Sequence, residues 1–351
     1  MTSNVKAAGT QSATKTGRVA EVSKPKAGLN IVERPKPEPG AEQVRLQVQA
    51  CGVCHSDSFC MDGTWPGLSY PLVPGHEIVG IIDEVAPNAV RFKKGDRVGV
   101  GWHGGHCAEC NACRSGDFIC CERLEIPGIN RDGGYAEYVV FPESVCARVP
   151  DGMDSAEAAP LLCAGVTTYN SLRHAGAMPG DTVAILGLGG LGHLGVQFAA
   201  KMGFRTVGIA RGSEKADFAK KLGAHHYIDS EKADAVEQLK QLGGAKVILS
   251  TVTSSRAVTP WVEGLGLNGK LVLVGADIEP LGINPVQLLG QRKSIVGWPS
   301  GTGKDSEECL EFCALTGIRP MIERFPFSKA KEAYDRMMSG KARFRAVIEL
   351  I

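Results

Sequence analysis

Neither sign of charge dominates this sequence. Its 39 lysines and arginines face 38 aspartates and glutamates, for a net charge of +1, so the attraction that would make nucleic acid or an anionic membrane the main partner is missing. A small-molecule partner is favoured instead. Also missing is an apolar N-terminal core of the kind a secretory signal needs. Residues 1–16 are mostly Ser, Thr, Ala, Lys and Gln, with no arginine before Arg18, which suits a flexible, solvated tail on a cytoplasmic protein. The longest uncharged run, Thr182 to Ala200, has the length of a membrane span. Five glycines, His193 and Gln197 interrupt it, and no membrane association is expected.

What is present points to a multidomain chain with bound metal. A length of 351 residues exceeds one ordinary core and suggests about two domains. The 43% hydrophobic content and 44 glycines describe a globular protein rich in tight turns. Twelve cysteines in a chain without an export signal read better as metal ligands than as disulfides.

From Gly17 to Val149 short alternating strands, such as Val44 to Val48, are separated by Gly and Pro clusters. From about Thr167 apolar strands alternate with helical stretches: Val183–Leu186, Thr206–Ile209, His226–Ile228, Val247–Leu249, Leu271–Val274 and Ser294–Gly297. Such alternation implies a parallel sheet. After Pro299 the pattern predicts helices over Ser306–Leu315 and Lys329–Ser339, the second opened by Ser328 and closed by Gly340, then a last strand to Ile351 that rejoins the first domain. The expected organisation is a tail (1–16), a β-rich domain (17–166), an inserted α/β domain (167–299) and a return to the first domain (300–351).

The strand Thr182–Leu186 runs into Gly187-Leu188-Gly189-Gly190-Leu191-Gly192 and then into a helical stretch. This is G-x-G-x-x-G in its required strand-turn-helix setting. The first glycine permits the turn, the second lets a pyrophosphate approach the backbone, and the third lets helix and strand pack closely. The helix N-terminus, beginning at Leu191 and Gly192, then faces the phosphates.

Cys107, Cys110, Cys113 and Cys121 form Cys-x2-Cys-x2-Cys-x7-Cys in a segment with few large apolar residues. Four soft thiolates at short spacing suit a closed, tetrahedral structural zinc. Cys120 rivals Cys121 for the fourth place. Cys51, Cys60, Cys146, Cys309 and Cys313 look like small core residues. A second set is dispersed: Cys54-His55-Ser56-Asp57, Gly75-His76-Glu77 and Cys163. Taken singly, each of these reads equally well as a packed core residue.

The order Gly-Val-Cys-His-Ser-Asp, Pro-Gly-His-Glu, the four-cysteine lobe, Leu-Cys-Ala-Gly-Val-Thr-Thr-Tyr and Gly-Leu-Gly-Gly-Leu-Gly resembles the zinc-dependent alcohol dehydrogenases of the medium-chain family, especially the yeast and bacterial type. The resemblance implies a GroES-like β-barrel catalytic domain interrupted by a Rossmann domain, a doubly wound parallel sheet, with the active site between them. It implies a catalytic zinc on Cys54, His76 and Cys163, with Asp57 orienting His76 and Glu77 near the metal. Ser56 would take the alcohol proton toward the nicotinamide ribose, and His55 and Arg345 would contact coenzyme phosphate. Trp65 and Trp102 would line the pocket and favour small or flat aromatic substrates. A homodimer or homotetramer would be the assembly. Where many relatives have a relay histidine, this chain has Phe59. Trp298 falls either near the nicotinamide or at a hinge.

The expected reaction is hydride exchange between a nicotinamide dinucleotide and a primary alcohol or its aldehyde, on two zinc ions per chain. Alternatives are a polyol or amino-alcohol dehydrogenase of the same superfamily, less favoured because polyol types usually have Glu where Cys163 stands, and a catalytically idle dinucleotide-binding protein. About twenty residues past the turn, where an acid would bind the adenosine ribose, stand Ala210 and Arg211, with Ser213 and Lys215 nearby. This pattern favours NADP(H) over NAD(H), because Arg211 can pair with a 2′-phosphate.

Overall fold

Thr182–Leu186 is buried along its whole length, and its apolar run is what a strand covered on both faces requires. The computed structural model, which describes residues 15–275 and 278–350, puts it inside a six-stranded sheet whose paired strands all run parallel. Across the sheet lie His226–Asp229, Arg205–Ala210, Thr182–Leu186, Ala245–Ser250, Leu265–Leu273 and Ser294–Gly297. In chain order this is 3-2-1-4-5-6, the Rossmann arrangement, with a crevice where the order reverses beside the first strand. All six strands expected from the sequence are present. The fifth begins several residues earlier than its apolar core suggests, at Leu265.

A second, seven-stranded sheet is built around Gln43–Val53. That strand pairs antiparallel with Ile78–Val85, with Tyr138–Pro142 and with the C-terminal strand Arg345–Glu349. The last strand therefore rejoins the seven-stranded sheet built before the Rossmann strands, and the Rossmann sheet is an insertion in a GroES-like β unit. Thr16, assigned to the solvated tail from composition, instead opens a strand, Thr16–Glu21, paired with Asn30–Pro35. Its hydroxyl donates to Glu33 at 3.0 Å, a partner that local composition does not reveal. Residues 1–14 of the expected tail lie outside the described residues.

The helix expected at Ser306–Leu315 spans Gly303–Thr316, opened by a capping box between Thr302 and Asp305 and closed by left-handed Gly317. The next helix is Ala330–Met338; Ser328 lies in a 3-10 turn before it and does not cap it. One apolar core joins the two units. Leu161, Leu162 and Val166 pack with Ile185, Leu194 and Val247, and this packing fixes Cys163 at the junction.

Gly192 opens the helix Gly192–Lys201, and a Cβ there would lie 1.7 Å from the Gly187 carbonyl oxygen. Gly189 has open space around the same position. Gly192→Ala is therefore predicted to lower the thermal midpoint, with a cost of about 1–3 kcal/mol for forced overpacking, whereas Gly189→Ala leaves it unchanged. Equal melting of the two variants would contradict the close approach.

Candidate active site

Three distant segments converge where the two units meet. Cys54 follows the strand Gln43–Val53, His76 and Glu77 lead into Ile78–Val85, and Cys163 starts the helix Ala164–His174. Their ligand atoms all lie within 4.8 Å of one another, with the Cys54 and Cys163 sulfurs 3.9 Å apart. The Cys54 thiol lies well below the usual range, first because Cys163 donates to its sulfur and then because His76 and Arg345 stand near it.

Asp57 sets the imidazole. His76 Nδ1 is 3.1 Å from Asp57 Oδ1, and Asp57 Oδ2 accepts from the Cys54 amide and the Tyr135 hydroxyl, each at 2.9 Å. With Nδ1 donating, His76 Nε2 is the acceptor nitrogen; it is buried and has no partner among the described residues. Two thiols and one free imidazole nitrogen, oriented by a carboxylate, form a donor set that fits zinc.

Glu77 is fully buried and pairs with Arg345, itself buried at the start of the last strand. Burial pushes the Glu77 carboxyl up to about 8 despite the guanidinium beside it. Its side chain fills the space at Gly52, where a Cβ would be 1.8 Å from Glu77 Oε2. Arg345 also lies along the glycine turn: a Cβ on Gly190 would be 3.0 Å from both its Cδ and Nη1. One side chain thus links the cysteine-histidine cluster to the turn.

Aromatic rings extend outward from His76. Trp102 meets it edge-on at 4.9 Å, Trp65 meets Trp102 at 6.1 Å, and Phe59 meets Trp65 at 5.2 Å. Phe59, notable in the sequence only for not being a histidine, is therefore part of this wall. Ser56 is half-buried and His55 exposed on the 3-10 turn His55–Asp57.

In the four-cysteine lobe, Cys107, Cys110, Cys113 and Cys121 bring their sulfurs within 4.8 Å of one another. Cys120 is exposed and outside the cluster. Cys121 Sγ accepts from the Cys107 and Arg123 amides, and Cys107 Sγ from the Cys110 amide, each at 3.3 Å. Those amides stabilise thiolate charge, and the Cys110 amide is the main reason the Cys107 thiol falls to about 6.

At the glycine turn Gly187 is left-handed, Gly189 is unobstructed, and Leu191 precedes the helix that Gly192 opens. Ala210 ends the second Rossmann strand, Arg211 is exposed and Lys215 half-buried. Sequence reasoning missed two acids here. Asp229 Oδ1 accepts from the Gly212 amide at 2.9 Å, and the Glu214 carboxylate folds back on Gly212, with Oε2 2.1 Å from where a Cβ would be. A cavity of about 460 Å³ opens at the ends of the last three Rossmann strands, lined by Val252, Thr253, Val274, Gly275 and Trp298 among others. Trp298 also stacks on His174 at 5.0 Å.

A Rossmann sheet and a GroES-like sheet enclosing a cysteine-histidine cluster define a metal-binding, nucleotide-dependent dehydrogenase of the medium-chain class. Residues 40–151 match the family "Alcohol dehydrogenase GroES-like domain" and residues 190–315 match "Zinc-binding dehydrogenase". The chain is 45% identical to alcohol dehydrogenase patD of Penicillium expansum, covering 92% of this chain and 95% of that one. It is 36% identical to NADP-dependent alcohol dehydrogenase C 1 of Mycolicibacterium smegmatis, covering 88% and 91%. Its fold superposes on a cinnamyl alcohol dehydrogenase, SbCAD4 from Sorghum bicolor, with a TM-score of 0.88 at 30% identity, covering 95% and 98%. The chain belongs to the zinc-binding alcohol dehydrogenase family. Among the described residues no helix is long and apolar enough to cross a membrane.

The lobe geometry generates a metal-counting test. Cys121→Ser is expected to lose one zinc per chain and to lower the melting temperature, because a closed site contributes folding free energy. Cys120→Ser is expected to keep both. Metal analysis with thermal melting checks the pair, and the reverse pattern would exchange the two cysteines.

Proposed function

We propose that this protein exchanges hydride between NADP(H) and a primary alcohol or its aldehyde, on one catalytic and one structural zinc per chain. The observation that carries the reading is the orphaned His76 Nε2 facing Cys54 and Cys163, joined through Arg345 to the glycine turn. Zinc at that cluster supplies Lewis-acid polarisation of the alcohol or aldehyde oxygen, and the nicotinamide the hydride chemistry.

Within the chain, Cys54, His76 and Cys163 would hold the ion, Asp57 fixes the His76 tautomer, and the buried Glu77, paired with Arg345, stands beside them. Cys107, Cys110, Cys113 and Cys121 hold the structural ion. Ser56 accepts the alcohol proton and passes it toward the coenzyme ribose; with Phe59 alongside, no imidazole continues that path at this position. Trp65 and Trp102 exclude water and favour slim or flat alcohols. Gly187, Gly189, Gly190, Leu191 and Gly192 cradle the diphosphate, with His55 and Arg345 as its cationic or hydrogen-bonding contacts. The catalytic unit comprises 17–166 and 300–351 around the coenzyme unit 167–299, in a cytoplasmic homodimer or homotetramer.

The preference for NADP(H) is supported by the absence of an acid at Ala210, by the exposed Arg211 and nearby Lys215, and by the relative named NADP-dependent. The Glu214 carboxylate against Gly212 favours the second reading, NAD(H), because it offers an acceptor for ribose hydroxyls.

Two measurements test these assignments. Ser56→Ala is expected to lower turnover by roughly 10²–10⁴, as for other lost proton-transfer groups, with coenzyme binding nearly intact; near-normal turnover across pH in the zinc-loaded variant would remove the hydroxyl from the mechanism. Ala210→Asp with Arg211→Gly is expected to shift the ratio of kcat/KM values toward NADH, by adding a repulsion and removing an attraction. A wild-type preference for NADH would reverse the coenzyme assignment.

A further inference from the structure

Just before the last strand stands an aromatic ring that neither the cysteine-histidine cluster nor the glycine turn accounts for. Phe344 immediately precedes Arg345, and the amides of both residues donate to the Met321 carbonyl, at 2.9 and 3.0 Å. Its ring stacks with two others. His193 is 5.0 Å away with planes 15° apart, and Phe218 is 4.9 Å away with planes 21° apart.

Both partners stand on coenzyme-binding elements. His193 lies in the first turn of the helix that follows the glycine turn. Its Nε2 accepts from the Met321 amide at 3.2 Å, so Nδ1 carries the proton and donates to the Gly189 carbonyl at 3.1 Å. Burial holds this imidazole neutral, its pKa pulled down to about 4. Phe218 lies in the helix Ala216–Lys221, directly after the Arg211–Lys215 turn. One ring from the catalytic unit is thus held by the two helices that begin beside the phosphate turn and the adenosine turn. The strand does not need the ring to stay in place, since Arg345–Glu349 is already paired with Gln43–Val53 on one side and with Ile322–Pro326 on the other.

We propose that Phe344 is a positioning residue for the coenzyme: stacked with His193 and Phe218, it sets Arg345 and the Gly189–Gly190 backbone at the spacing the coenzyme diphosphate requires. The inference rests on the glycine turn being a nicotinamide-dinucleotide site. Phe344 acts through Arg345, which reaches Gly190 and Glu77, and through the carbonyl that His193 holds. Coenzyme affinity, rather than the metal cluster or the aromatic pocket, is the property it controls.

Phe344→Leu keeps most of the apolar volume and removes the flat faces. Binding of NADPH and of NADH is followed by quenching of tryptophan fluorescence, alongside steady-state kinetics. Losing two ring stacks is expected to raise the coenzyme Kd about ten-fold, and coenzyme KM with it. Zinc content, alcohol KM and kcat at saturating coenzyme stay near wild type, and Phe344→Tyr, which restores a flat ring, recovers the affinity. Should Phe344→Leu not fold, Phe218→Leu removes one of the two ring contacts from the other residue's end and is expected to raise coenzyme Kd in the same direction.

An unchanged Kd in the folded variant overturns the proposal, as does an equal loss of kcat/KM toward coenzyme and alcohol that Tyr does not rescue. If the wild-type enzyme binds neither coenzyme, the reading of the glycine turn fails as well. If it binds one and the leucine variant binds it equally, only the role of Phe344 fails.

Discussion

The buried ion pair between Glu77 and Arg345 is the contact on which the arrangement of this molecule depends. Both groups are out of water, and taking either partner away from such a pair typically costs about 3–5 kcal/mol, since an uncompensated charge remains. The pair joins positions 268 residues apart, so the C-terminal strand must return to the seven-stranded sheet before either charge is satisfied. Because Arg345 also lies against Gly190, the requirement that closes the catalytic sheet also fixes the glycine turn relative to the cysteine-histidine cluster. One guanidinium touches both Glu77 of the cysteine-histidine cluster and the glycine turn.

A second constraint sits beneath it. Asp57 accepts from the Cys54 amide and the Tyr135 hydroxyl while facing His76 Nδ1, and these bonds keep a buried carboxylate stable and a histidine in one tautomer. The two cysteine sites differ accordingly. In the lobe, backbone amides from a local segment stabilise the sulfurs, a self-contained closed cluster. In the cleft, the donors come from three distant segments, and the His76 ring among them is met edge-on by Trp102.

Much of this was legible in the sequence where the physics is local. The six Rossmann strands could be read because burial on both faces demands continuous apolar runs, and the glycine turn because each glycine answers a steric need. The four-cysteine lobe could be read because its ligands are close in sequence. The Cys54, His76 and Cys163 cluster was legible only through family resemblance, since no spacing rule connects residues on separate segments. Beyond reach were the polar and aromatic contacts between remote positions: Tyr135 on Asp57, Arg345 on Glu77, and Phe344 on His193 and Phe218. Thr16 was misassigned because its strand partner, Pro35, lies across a hairpin. Glu214 went unnoticed because its carboxylate folds back onto Gly212, a turn glycine with positive φ.

The central claim is a division of labour between an open Cys54–His76–Cys163 site that carries the chemistry and a closed four-cysteine site that carries structure. Its most direct test replaces both zinc ions with cobalt(II) and records visible absorption as coenzyme and trifluoroethanol, an unreactive alcohol analogue, are added. The account predicts that the bands of one cobalt shift, that those of the other do not, and that removing only the responsive ion abolishes turnover. Spectra in which neither ion responds to the bound analogue, or turnover that survives removal of the responsive ion, would contradict it.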